Sequence, residues 1–250
     1  MAKPANREKL PVLIILHQEH STPGRVGRLL RERGHALDIR RPRFGDALPD
    51  TMAEHAGAVI FGGPMSANDE DDFIKREIDW IEVPLKEERP YLGLCLGAQM
   101  MAKLLGARVY AHPDGRAEIG YFPLLPTPDG IAVAERLGTA WPSHVYHWHR
   151  EGFECPAGAT TLATGDHFPT QAILVGPKAF GLQFHPEVTP AIVEGWIRDG
   201  RDTLSRARID GDAIRAQTRA GEADHRVRSF ALFDRIAAHW TDGRRTDVQT

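Results

Sequence analysis

A chain of 250 residues, 42% hydrophobic and 26% charged, carries enough apolar material for one substantial core, and its length fits one or two domains. A formal net charge of -3 excludes the strongly basic footprint of a nucleic-acid binder, and the longest aliphatic run, Val12 to Leu16, is far too short to span a bilayer. The first ten residues lack the apolar stretch of a secretory signal, and the only two cysteines, Cys95 and Cys155, are expected as free thiols in a reducing compartment, so the expected location is the cytoplasm.

Short apolar runs alternate with helical patterns through the first hundred residues. Residues 11–18 read as a buried strand, followed by Thr22 and Pro23 as N-cap and first turn of a helix that stops at Gly34. Residues 35–40 and 57–63 are further strands, the latter ending in a glycine pair. Ile74 to Glu88 has helical spacing broken by Pro84. Residues 91–95 form a fourth strand and 97–106 a helix closed by glycine. This alternation predicts an α/β fold of three layers, flavodoxin-like, with a largely parallel sheet and helices on both faces.

After Arg108 the pattern changes. Residues 117–125, 144–149, 160–165, 171–176 and 179–185 read as strands with few helices between them, which predicts a small antiparallel or mixed sheet inserted on the parallel core. A helix returns at 189–200. Residues 201–228 are rich in Arg and Asp, and predict an exposed or partly mobile helix. Val227, Phe230, Phe233, Ala237 and Trp240 recur at helical spacing, so an amphipathic helix is expected there. The expected division is a domain over 1–200 and a helical extension over 201–250.

Chemistry concentrates first at Gly93-Leu94-Cys95-Leu96-Gly97, between a strand and a helix. This is the thiol form of a nucleophile elbow. A sharp strand-to-helix turn strains its central residue, and small neighbours let the two backbones pass closely. The following helix N-terminus favours a thiolate. A buried structural cysteine beside packing glycines is the competing account. A thiol nucleophile also needs a base and a group to orient that base. His185-Pro186-Glu187 ends an apolar strand and supplies both, because residues two apart in an extended segment point to the same side. Paired glycines in Phe61-Gly62-Gly63-Pro64 allow a backbone N–H to face a neighbouring site as a donor to an oxyanion.

In chain order, Gly-Gly-Pro, then Gly-x-Cys-x-Gly-x-Gln, then Phe-His-Pro-Glu, these three stretches resemble the class I, triad-type glutamine amidotransferases, most closely the glutaminase part of GMP synthases and stand-alone proteins like it. The resemblance covers roughly residues 10 to 200. It implies Cys95 as nucleophile, His185 as base and Glu187 as its orienter. It also implies an oxyanion hole from the N–H groups of Gly63 and Leu96, with Gln99 and His149 contacting substrate. Within residues 147–151, Trp148 replaces the family serine and Arg150 the family glycine. The substrate is therefore expected to be glutamine or another γ-glutamyl compound, with ammonia passed to a synthetase partner subunit or released by an enzyme acting alone. A dienelactone-hydrolase-like α/β hydrolase and a non-catalytic binding module on the same fold stay open as alternatives. No cofactor or metal is expected: His147 and His149 have metal-like spacing, but no carboxylate of recognisable ligand spacing accompanies them in sequence.

Overall fold

In the computed structural model, which describes residues 9–241, the first strand explains the layering. All four residues of β1 (Val12–Ile15) are buried, as a strand covered on both faces requires. Val12 and Ile14 join one apolar cluster, Leu13 and Ile15 the other. The period of two thus separates the two faces of the sheet.

The chain continues through α1 (Gly24–Glu32), β2 (Leu37–Arg40), β3 (Gly57–Ile60), α2 (Asp72–Trp80), α3 (Glu82–Lys86), β4 (Tyr91–Leu94) and α4 (Leu96–Leu104). The next stretch comprises β5 (Val109–Ala111), β6 (Glu118–Pro123), β7 (Leu125–Pro126), α5 (Pro128–Leu137), β8 (His144–His149), β9 (Glu151–Phe153), β10 (Ala159–Thr164), β11 (Ala172–Val175) and β12 (Ala179–Leu182). It then closes with α6 (Pro190–Asp199), α7 (Arg201–Ala207) and α8 (Gly211–Thr241).

Eight strands form one sheet in the order β2-β1-β3-β4-β12-β11-β10-β7. Pairing is parallel from β2 to β12 and antiparallel from there to β7. The α/β class with a largely parallel sheet is therefore as expected. The antiparallel strands divide between two places: β10, β11 and β7 extend the main sheet, while β5–β9 and β6–β8 make separate two-stranded ribbons. Helices α1, α5 and α8 cover one face through Leu30, Val133 and Phe233. Helices α2 and α4 cover the other through Ile74, Ile78 and Met101. A third apolar cluster joins the β6–β8 ribbon to α6, α7 and the start of α8.

Several local readings are corrected. Thr22 does not cap α1: Pro23 holds the N-cap position without a side-chain bond, and the Arg25 N–H donates instead to the Glu187 carbonyl at 3.0 Å. The break between α2 and α3 falls at Ile81, and Pro84 lies inside α3, where a first-turn proline loses no helical bond. Helix α5 interrupts the region read as strands. Its signals are Thr127 accepting from the Gly130 N–H, Pro128 at the first turn and left-handed Gly138 at the end. Residues 201–228 are not merely exposed, since Leu204, Ile214, Thr218 and His225 are buried. Val227 is 63% exposed and does not belong to the apolar stripe. Phe233 and Ala237 are buried as expected and Phe230 packs against the same cluster, the buried line also takes in Ile214, Thr218, His225, Ser229, Leu232 and Ile236, and Val227 projects from the other side of the turn. The side chain of Trp240 lies outside the described residues.

Candidate active site

Cys95 sits between β4 and α4 at φ 50, ψ -102, a left-handed φ that a non-glycine residue adopts only under constraint. The flanking glycines supply it. A Cβ on Gly93 would lie 2.5 Å from the Gly97 carbonyl carbon, and one on Gly97 would lie 2.3 Å from the Ile60 carbonyl oxygen. Strand, turn and helix therefore pass at a distance only hydrogen side chains permit. The buried Tyr91 hydroxyl donates to the Gly97 carbonyl at 2.9 Å and the Cys95 N–H to the Leu182 carbonyl at 2.7 Å, tying the turn to its own strand β4 and to the adjacent β12. Leu96 opens α4, so its N–H has no partner within the helix.

His185 follows the end of β12, the strand paired with β4. Its Nδ1 lies 2.7 Å from Oε1 of Glu187, and both residues are 3% exposed. Gly62 stands against both His185 and Cys95: a Cβ there would lie 2.8 Å from His185 Cε1 and 3.4 Å from Cys95 Cβ. The three sequence-predicted stretches thus converge on one point at the carboxyl end of the sheet. Burial works against a charged His185, yet the negative charges of Glu187 and Cys95 outweigh it and raise its pKa to about 10. The loop 185–188 is held from behind. Buried Arg25 donates through Nε to the Val188 carbonyl at 2.7 Å and pairs with Glu222 of α8.

Gln99 and His149 also meet, but at a protein atom. Gln99 Nε2 donates to the Glu151 carbonyl at 2.8 Å, and His149 Nδ1 donates to the same oxygen at 3.0 Å. Gln99 further donates to Gln183 Oε1 at 3.2 Å, and Gln183 Nε2 donates to Cys95 Sγ at 3.4 Å. Gln183 went unnoticed in the sequence because nothing in an apolar strand end distinguishes it.

His149 Nε2 lies 2.9 Å from Glu118 Oε2 and 3.0 Å from His147 Nδ1, and Gln171 Nε2 donates to Glu118 at 2.9 Å. The expectation that no carboxylate accompanies the two histidines is therefore corrected. Glu118 reaches them across the β6–β8 ladder, where it pairs directly with His149. Among the described residues, these three could hold a metal ion, with ligand atoms within 4.8 Å of one another. Burial, then His149 and His185, push the His147 pKa well below its ordinary value, so that ring is held neutral.

Arg150 is exposed on the loop between β8 and β9. Trp148 packs its ring 5.8 Å from Trp196, which lies 4.8 Å edge-to-face from His185. Cys155 is partly buried and its thiol faces the Pro156 and Ala159 carbonyls at 3.7 and 3.6 Å. No helix among the described residues is long and apolar enough to cross a membrane.

A family model for class-I glutamine amidotransferases matches residues 19–194. The glutamine amidotransferase-like protein YfeJ of Salmonella typhimurium is 30% identical over 201 residues, 78% of this chain and 83% of that one. A glutamine-hydrolysing GMP synthase of Phenylobacterium zucineum is 31% identical over 168 residues, 65% of this chain but 30% of that enzyme. The crystal structure of a Thermotoga maritima glutamine amidotransferase superposes with a TM-score of 0.80 at 31% identity, over 94% of this chain and 99% of that one. With a match that takes in most of the chain and a whole-length structural relative, this protein belongs to the class-I glutamine amidotransferase family.

Proposed function

We propose that the protein hydrolyses the side-chain amide of glutamine or a related γ-glutamyl amide through Cys95, His185 and Glu187. The observation that carries this reading is the convergence at Gly62. A cysteine in strained elbow geometry and a carboxylate-paired histidine pack against the same glycine. The Cys95 thiolate attacks the amide carbonyl, and the N–H groups of Gly63 and Leu96 take the charge of the tetrahedral oxyanion. His185, which keeps its proton at neutral pH because Glu187 and Cys95 outweigh its burial, donates it to the leaving nitrogen as the C–N bond breaks. A γ-glutamyl thioester remains. Water, giving its proton to His185, then attacks the thioester carbonyl, which releases glutamate and restores the Cys95 thiolate beside protonated His185.

One observation favours an amine larger than ammonia as leaving group. Trp148 and Trp196 form an aromatic wall that ends on the ring of His185, with both indoles half-buried. A γ-glutamyl amide with an apolar amine fits such a wall better than free glutamine does. If glutamine is the substrate, the resemblance to GMP synthases supports an ammonia-accepting synthetase on a separate chain.

The test is glutamate release by the purified protein from glutamine and a panel of γ-glutamyl amides, together with peptide mapping after a glutamine-like electrophile. Turnover that disappears in Cys95→Ala, with label on Cys95, supports the reading. Label mainly on Cys155, or turnover that survives Cys95→Ala, refutes it.

A further inference from the structure

Behind the glycine pair lies a second imidazole–carboxylate couple that the reaction above does not use. His17 follows β1 and Glu77 belongs to α2, and both are fully buried. His17 Nε2 lies 2.8 Å from Glu77 Oε2, and His17 Nδ1 lies 3.1 Å from the Gly62 carbonyl oxygen. A carbonyl can only accept, so the Nδ1 proton is committed to Gly62. The Nε2–Oε2 contact needs one proton, whichever atom carries it. A buried imidazole with both nitrogens engaged cannot rotate without stranding polar groups.

We propose that His17 and Glu77 are positioning residues that set the direction of the Gly62–Gly63 peptide, and so the aim of the Gly63 N–H. The proposal rests on the reading that this N–H stabilises the oxyanion. In a trans peptide the C=O and N–H point in opposite directions, and no peptide among the described residues is cis. Holding the Gly62 carbonyl on His17 therefore turns the Gly63 N–H away from His17. The two glycines keep different company. A Cβ on Gly63 would meet His17 Cβ at 3.0 Å, whereas one on Gly62 would meet His185 and Cys95. The loop is thus sandwiched between the His17 brace and the reactive pair. A brace is needed because a Gly-Gly peptide has no side chain to resist a flip, and a flip would replace a donor by a carbonyl oxygen where negative charge develops.

His17→Phe keeps an aromatic ring but cannot hold the carbonyl, and His17→Asn places an amide N–H near the position of Nδ1. Both are compared with the wild type in three measurements. The first is kcat and KM for glutamate release. The second is the rate of Cys95 alkylation by iodoacetamide, a displacement at saturated carbon that forms no oxyanion. The third is the crystal structure around residues 62–63. Losing one oxyanion donor costs about 10²- to 10³-fold in kcat. That loss is expected for His17→Phe with KM and alkylation changed less than about threefold, together with a turned Gly62 carbonyl and substantial recovery in His17→Asn. An unchanged kcat, an equal fall in alkylation, or a Gly62 carbonyl that keeps its direction in His17→Phe would overturn the brace. If His17→Phe does not fold, Glu77→Gln carries the same three measurements. A smaller fall in kcat with unchanged alkylation upholds the brace, and unchanged kcat overturns it. Failure of the underlying reading appears separately, as absence of turnover in the wild type. The carbonyl direction in the variant crystals still decides the brace in that case.

Discussion

Gln183 Nε2 donates to Cys95 Sγ over 3.4 Å while its Oε1 accepts from Gln99, so two buried amides in series link the thiol to the Glu151 carbonyl. Gln183→Leu removes the donor from the sulfur and an acceptor from Gln99. A hydrogen bond to a charged group is worth about 1.5–3 kcal/mol, which corresponds to a loss of roughly 10- to 100-fold in turnover. Alkylation of Cys95 is expected to slow with it, because the change acts on the sulfur itself. Unaltered rates in both assays would show that the contact has no role in reactivity.

The Glu187–His185 pair predicts a pH signature. In Glu187→Gln the charge that lifts the His185 pKa to about 10 is gone, so the alkaline limb of the kcat profile should move to lower pH. The fall in kcat should far exceed any change in KM, since the imidazolium matters most in the transition state. Stability follows the same shift. A histidine whose folded pKa is raised contributes fully below the unfolded value near 6.5, and that contribution is lost as pH rises through about 10. Denaturation at pH 6.5 and pH 10 should show the wild type losing more stability over this interval than Glu187→Gln.

His225 of α8 predicts the opposite trend in a different window. Burial, then Arg25, pull its pKa down to about 4, and its ring packs edge-on against Tyr121 at 5.6 Å. Between about 4 and 6.5 the unfolded chain binds a proton that the folded one refuses, so stability falls on acidification. His225→Phe keeps the packing and should flatten that part of the curve. A variant as acid-sensitive as the wild type would assign the effect to other groups.

Helix α8 supplies part of the core. Phe233 is fully buried among residues of α1, α5 and the sheet, so Phe233→Ala should cost about 3–5 kcal/mol. Val227→Ala, on the exposed side, should stay within about 0.5 kcal/mol. A chain ending at residue 210 should lose thermal stability with no change in assembly state. A truncated protein that kept its stability but ran as a smaller species in light scattering would instead make α8 a subunit interface.

At the elbow, Gly97→Ala would drive a methyl group to 2.3 Å from the Ile60 carbonyl, and the backbone must shift. Overpacking of this kind costs about 1–3 kcal/mol, and turnover should fall further because Cys95 moves with it. Gly195→Ala in α6 is the control. Only Arg198 lies near, at 3.9 Å, and replacing a mid-helix glycine should raise stability by about 0.5–1 kcal/mol. Equal losses for both would separate the effect from elbow geometry.

Local pattern alone determined the order of strands and helices through Leu104, the elbow at Cys95, and the pairing of His185 with Glu187. Each of these depends on residues at most four apart, where backbone geometry dictates who meets whom. The tertiary structure alone decided what lies behind them. Glu77 lies between Ile74 and Ile78 on the buried side of α2, and its partner His17 is 60 residues away. Glu118 reaches His149 only because the β6–β8 register sets them opposite, and Gln183 reaches Cys95 only because β12 lies beside β4. In the apolar stripe of α8, Phe230, Phe233 and Ala237 pack on the core as expected and Val227 does not, and the rest of the buried line escaped notice for a related reason. Polar Thr218, His225 and Ser229 occupy buried positions that a search for apolar residues passes over. Pairing of distant segments is set by how whole layers pack, and a one-dimensional period carries no record of which polar group each layer will bury against another.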